Sequence, residues 1–96
     1  KYTGIEDLYP DGYNLLQNIP NPTTGFTVIP FSVAEQGAFR FILYNFMGQE
    51  VYSDNGFAKE GSNTIEKNFS HLADGMYYYA IEHDKVRMLK KMVIAK

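Results

Sequence analysis

The sequence predicts an all-β fold, an immunoglobulin-like β-sandwich of about seven antiparallel strands. Short runs rich in β-branched and aromatic residues alternate with turn signals at a spacing of about 8–12 residues. No segment has apolar residues at the sustained i, i+3, i+4, i+7 spacing of an amphipathic helix. The 96 residues are 45% apolar and 16% aromatic, which suffices for one modest core.

The chain is predicted to divide into a linker, residues 1–13, and one domain, residues 14–96. The linker mixes acids with turn formers, and its "YPDG" is a turn signal. The first residue is lysine and not methionine, so we expect a fragment of a longer protein whose N-terminal part is missing. Within the domain, "LLQNIPNPTTG" holds two prolines, which bias the residues before them to extended geometry and exclude a helix.

Strands are expected at residues 15–19, 26–33, 38–46, 50–53, 63–69, 76–83 and 86–96, with a loop over 54–62. The segment 38–46 is apolar on both faces, which predicts a central strand. Pro30 lies inside segment 26–33. Since proline cannot donate to a ladder, that strand should be an edge, bulged, or shared between two sheets.

Composition excludes several classes of protein. There is no cysteine, so disulfide scaffolds and thiol chemistry are absent. The net charge of −2 is too mild to indicate nucleic acid as a partner. The longest apolar run, "MYYYAI", is far shorter than the ~20 residues that span a bilayer. These 96 residues show no leader pattern, so we expect any export signal to lie in a missing N-terminal part or to take another form.

The sequence offers little chemistry, so we expect neither an enzyme nor a cofactor. His71 and His83 are expected at the surface, and the neighbouring "SH" and "HD" pairs point apart on a strand or turn. The aspartates are scattered singly, with no calcium-loop spacing. Of the three consecutive tyrosines, alternation places Tyr77 and Tyr79 in the core and Tyr78 on the partly exposed face.

The last twelve residues, "KVRMLKKMVIAK", hold five of the nine basic residues and no acid, whereas the preceding 84 residues carry a balance of −7. Lys90 and Lys91 are consecutive and therefore point to opposite faces of the last strand. Charge inside an apolar strand is one way to protect a sheet edge from aggregation. The other interpretation is a strand that a partner reads through its edge and its basic side chains. An open edge would also permit a dimer.

Four segments in order carry a family resemblance: "LLQNIPNPTTGFTVIPFSV", "GAFRFILYNFMGQEV", "LADGMYYYAIE" and the final "KKMVIAK". Together they resemble the C-terminal sorting domain of the type IX secretion system, type A, also called the Por secretion tail. Thr23 departs from the pattern, because an aromatic residue is common there. The residues expected to define the fold motif are Asn18, Pro20, Asn21, Pro22, Gly37, Tyr44 and Gly48.

The resemblance implies a sorting signal on exported proteins of Bacteroidetes-type bacteria. Such a signal passes through the periplasm, is recognised by an outer-membrane translocon and its shuttle proteins, and is removed by a sortase-like peptidase, so that the cargo reaches the cell surface or the medium. We expect the translocon to read Gly75, Lys90, Lys91, Met92, Val93, Ile94 and Lys96. The alternatives are a carbohydrate-binding or adhesive module and a structural spacer of the fibronectin type III kind.

Overall fold

A computed structural model describes residues 9–96, and seven strands account for most of them. The strands are β1 (Asn14–Leu15), β2 (Phe26–Val33), β3 (Gly37–Asn45), β4 (Glu50–Ala58), β5 (Gly61–Asn68), β6 (Gly75–His83) and β7 (Val86–Ile94). One sheet has the order β1-β2-β5 and the other the order β4-β3-β6-β7, with every pair antiparallel. The predicted seven-stranded sandwich is confirmed.

The core lies between the two sheets, and a group of aromatic rings runs through it. Phe31 of the three-stranded sheet meets Phe39 of the four-stranded sheet edge to face, with ring centroids 5.1 Å apart. Phe41 lies parallel to Phe69 and to Tyr79, each at 6.2 Å. Alternation along β3 and β6 directs Phe39, Phe41 and Tyr79 inward. Strand β3 lies between β4 and β6, as its two apolar faces predicted for a central strand.

The predicted loop over residues 54–62 is wrong. Strand β4 continues to Ala58, two residues form the turn, and β5 begins at Gly61. "DNG" has the composition of a turn, but Gly56 lies opposite Phe39 in the ladder. A Cβ at Gly56 would be only 2.4 Å from the Phe39 ring, so the ring occupies the space above the glycine. An aromatic ring packed over a strand glycine restores contacts that the glycine lacks.

The first predicted strand, residues 15–19, is only partly correct. Regular pairing covers Asn14 and Leu15, and Ile19 then makes an isolated bridge to Val28 of β2. The carbonyl of Pro30 accepts from the Leu16 amide at 3.0 Å. Because the N–H and C=O of a strand residue point to the same side, the missing N–H of Pro30 faces Leu16, whose carbonyl accepts from the Tyr79 hydroxyl instead.

The two histidines differ in burial. His71 is exposed, as predicted, but the prediction is wrong for His83, whose side chain is buried. Its Nδ1 is hydrogen-bonded to the Tyr13 hydroxyl at 3.0 Å, and within the described residues its Nε2 has no partner. Gly37 leaves room for this ring, since a Cβ there would lie 3.2 Å from Nε2.

Candidate recognition site on the last strand

The predicted recognition residues lie on and beside β7, which pairs with β6 along one side of the four-stranded sheet. Two of them belong to the core, because Met92 and Ile94 are 0% and 1% exposed. With Met88, they form the inward row of the strand. A partner that meets the folded domain therefore has no access to these two side chains, which instead hold β7 in the sandwich.

The two consecutive lysines point to opposite faces of the sheet. Lys90 pairs with Tyr79, faces the core side and is half-buried, whereas Lys91 pairs with Tyr78 on the outer face and is exposed. Lys91 forms no salt bridge with any residue in the part of the chain that the structure describes. The opposite placement agrees with the alternation expected from the sequence.

The remaining predicted residues surround the end of β7. Gly75 opens β6 opposite Ile94, is exposed, and has an open space where a side chain would begin. The amide of Lys96 donates to Asp74 Oδ1 at 3.2 Å, and its Nζ donates to the carbonyl of Leu72. The turn before β6 thus holds the residues that follow β7. Val93 is half-buried on the outer face.

The free side of β7 is covered by the N-terminal part of the domain. Residues 16–23, here called the proline strap, run along it. The carbonyl of Lys91 accepts from Gln17 Nε2 at 2.7 Å, and the amide of Val93 donates to Asn21 Oδ1 at 2.9 Å. Thr23 accepts from the Ala95 amide and donates to the Val93 carbonyl, both backbone bonds at 2.9 Å. Ahead of the strap, the Tyr9 hydroxyl bonds both the amide and the carbonyl of Leu89.

Asn18 anchors the strap. Its side chain is 1% exposed, and Nδ2 donates to the carbonyl of Pro20 and to Oγ1 of Thr27, each at 3.0 Å. Its amide donates to the hydroxyl of Tyr79 at 2.9 Å, and that hydroxyl donates to the carbonyl of Leu16 at 2.7 Å. Burial raises the pKa of Tyr79 well above its usual value. These bonds fix the proline strap across one side of the sandwich.

The Thr23 side chain stabilises the turn that precedes β2. Its hydroxyl donates to the carbonyl of Phe26 at 2.6 Å and accepts from the amide of Gly25 at 3.0 Å, and the residue is buried beside Ile94. The side chain satisfies backbone groups of the turn that leads into β2. The departure from the common aromatic is thus accommodated by hydrogen bonding.

The other fold-motif residues lie at the β3–β4 hairpin and on the outer face. Asn45 Oδ1 accepts from the amides of Met47 and Gln49, and Gly48 adopts a φ of 83°, which favours glycine. Tyr44 lies on the outer face, where the guanidinium of Arg87 stacks at 5.4 Å from the ring centroid and donates to the hydroxyl at 3.0 Å.

Sequence reasoning missed an inward-facing charge on the opposite side of the sandwich. Lys67 of β5 donates to Asp54 of β4 at 2.8 Å, and its Nζ lies 5.3 Å from the ring centroid of Phe41 and 5.2 Å from that of Tyr52. The hydrogen bond from Lys67 lowers the pKa of Asp54. The alternation of "NTIEKNF", which puts Lys67 on the face of Ile65, was the available signal.

No helix among the described residues is long and apolar enough to cross a membrane. Within residues 9–96, no three His, Cys, Asp or Glu side chains come together in an arrangement that would bind a metal ion.

The last strand of the sandwich is thus tied to an Asn-Pro-rich strap. The profile of the family described as "Secretion system C-terminal sorting domain" matches residues 18–95, which is most of the chain. The chain belongs to this family, the C-terminal sorting domain of type IX secretion, and the resemblance inferred from the motifs is confirmed. No curated protein matches the sequence.

Type IX secretion is an export route across the outer membrane of Bacteroidetes-type bacteria, and a sorting domain of this family is the signal for it. The domain therefore serves export to the cell surface or the medium, and its function implies contact with the secretion machinery.

Proposed function

We propose that this domain is recognised in the periplasm by the outer-membrane type IX translocon and its shuttle proteins, and that it carries an attached cargo outward. A sortase-like peptidase then removes it. The observation that carries the proposal is the family match over residues 18–95, together with a basic last strand that the fold holds at the side of a sheet.

The recognised region is centred on β7. Among the predicted residues, Gly75, Lys91 and Lys96 are exposed, whereas Met92 and Ile94 act by fixing the strand in the core. Lys90 lies half-buried among the inward row. Deletion of the last ten residues would remove core side chains and unfold the sandwich, so side-chain substitutions test recognition better than truncation.

The peptidase is proposed to cut within the linker, residues 1–13. Residues 1–8 of this predicted linker lie outside the described residues. Tyr9 bonds the side of β7, and Tyr13 bonds His83 and packs against the core. A cut ahead of Tyr9 would leave these contacts intact in the released domain.

Two other predicted roles are less well supported by the geometry. A glycan-binding module needs a cluster of open aromatic faces, but Tyr77 and Tyr79 are in the core and the Tyr44 ring is covered by Arg87. The exposed rings of Phe26, Phe46 and Phe57 belong to different elements and form no such cluster among the described residues. A dimer formed through the side of β7 would have to displace the proline strap, which already takes the hydrogen bonds of that side.

The proposal is tested by fusing residues 1–96 to a fluorescent protein that carries a periplasmic export leader. The fusion is expressed in a bacterium with type IX secretion and in a mutant that lacks it. The paired variant Lys90→Ala with Lys91→Ala is compared with Lys59→Ala with Lys85→Ala, which removes two exposed lysines that lie outside β7. We expect only the β7 variant to retain reporter in the periplasm. Equal export of both variants would argue against recognition of the β7 lysines by the translocon.

A further inference from the structure

The outer face of the four-stranded sheet has a shallow depression at the end where the β3–β4 hairpin turns. Tyr44, Gly48, Tyr78, Arg87 and Leu89 line it. The strand register places further large apolar side chains at this end of the sheet, where Phe46 is 71% exposed, Met47 64% and Met76 41%. Solvation of so many large apolar groups at one corner is unfavourable, and such patches mark interaction sites.

The register of the strands brings these groups together. Asn45, the last residue of β3, pairs with Tyr77, which places Phe46 and Met47 at the end of the sheet where Met76 lies in β6. Tyr78 then pairs with Lys91 of β7. We call the group Phe46, Met47, Met76, Tyr78 and Lys91 the hairpin corner.

Side chains closely cover the outer face of the sheet beside the depression. Ile42 and Ala80 point to the outer face and pair across the sheet, yet both are 0% exposed. Arg87, held by Glu82 at 2.6 Å and by the Tyr44 hydroxyl, contributes a fixed side chain to the wall. A preformed site loses little conformational entropy when a partner binds.

The positive charge at the hairpin corner favours a partner with an acidic group. Arg40 and Arg87 on this face are each paired with a glutamate, Glu50 and Glu82. Lys91 is exposed and has no salt bridge among the described residues, so it leaves the corner with one uncompensated positive charge on a chain of net charge −2. An acidic group on a partner would complement it.

Resting on the proposed sorting function, we infer that the hairpin corner is a docking site for a protein of the secretion machinery, which inserts an apolar side chain into the depression and places a carboxylate against Lys91. The strand is read on its face, because the strap already bonds the amide of Val93 and the carbonyls of Lys91 and Val93 along its free side. Strand addition there would require those bonds to break.

A protein fits this corner better than an anionic membrane. Adsorption to anionic lipid needs several basic residues close together, since each contributes only about 1 kcal/mol. The corner has one uncompensated lysine on an acidic chain. A single cation beside a shaped apolar hollow suits a directional contact with one carboxylate.

The test uses the same reporter fusion and two matched pairs of variants. Phe46→Ser is compared with Phe57→Ser, because Phe57 is 69% exposed but lies at the opposite end of the same face, opposite Ala38. Lys91→Glu is compared with Lys85→Glu, an exposed lysine in the β6–β7 turn. Thermal unfolding of each purified domain confirms that it folds.

We expect Phe46→Ser and Lys91→Glu to lower export by about tenfold or more, the loss typical of an interface hot spot, while both controls export as the parent does. A photocrosslinker at position 47, and not at position 57, is expected to attach to an outer-membrane component of the secretion system. Parental export of folded Phe46→Ser and Lys91→Glu would overturn the inference, as would binding of the parent domain to phosphatidylglycerol vesicles that Phe46→Ser abolishes. If the parent fusion itself fails to reach the surface, the sorting function fails instead.

Discussion

The side-chain oxygen of Asn21 accepts a hydrogen bond from the amide of Val93 at 2.9 Å, across 72 residues of sequence. The bond joins the Asn-Pro motif near the start of the chain to its last strand. It gives the Asn-Pro segment a physical role: the segment supplies the partner that the side of β7 would otherwise lack. A side of a sheet covered in this way does not template pairing with another chain.

Replacement of Asn21 by alanine should therefore weaken the domain and expose part of the β7 ladder. We expect a loss of about 1–2 kcal/mol in the free energy of unfolding, the cost of one lost partner, and a concentration-dependent shift to larger species on gel filtration. Asn55→Ala is the control, because the Asn55 side chain is exposed and makes no hydrogen bond within residues 9–96. Equal stability of the two variants would contradict the strap's role.

The three consecutive tyrosines provide a graded series. Tyr79→Phe removes a buried hydroxyl that donates to Leu16 and accepts from Asn18, so we expect a loss of roughly 2–4 kcal/mol in urea unfolding. Tyr77→Phe removes one bond to Ala73 and should cost about 1 kcal/mol. Tyr78→Phe should change little, because within residues 9–96 its hydroxyl has just a weak contact with the Met76 sulfur at 4.0 Å. A different order among the three would refute this assignment.

Acid should destabilise the domain partly through Asp54. The hydrogen bond from Lys67 lowers the pKa of Asp54 below 3.8 in the folded state, so the pair stabilises the fold above that pH. This contribution is lost as the pH falls through the lowered pKa. We expect Asp54→Asn to flatten the acid limb of a plot of unfolding free energy against pH. Asp11→Asn, which removes a carboxylate outside any ion pair of the described residues, should leave the limb unchanged.

Gly56 should not tolerate a side chain. A Cβ there would lie 2.4 Å from the Phe39 ring, so Gly56→Ala must push that ring into the core. We expect a loss of roughly 1–3 kcal/mol, as for other overpacked cores. The matched variant Ser53→Ala changes an exposed position of the same strand and should be nearly neutral. Thermal unfolding of both distinguishes packing at Gly56 from a general effect on β4.

The strands with regular alternation, β2, β3 and β6, could be predicted because period-two patterning is a local signal. The end of β4 could not, since Asn55 and Gly56 have turn composition and only the distant Phe39 makes a strand there favourable. The pairing of Asn21 with Val93 is likewise non-local. Sequence placed Lys90 and Lys91 on opposite faces correctly, but it did not indicate that Met92 and Ile94 would be wholly buried.

The most direct test of the account is the fraction of fluorescent reporter outside the cell when residues 1–96 are its only sorting signal. We predict that the reporter reaches the surface or the medium in the strain with type IX secretion and stays in the periplasm of the mutant that lacks it. Reporter retained in the periplasm of both strains, while the purified fusion is folded, would contradict the central claim that this domain is sufficient as a sorting signal.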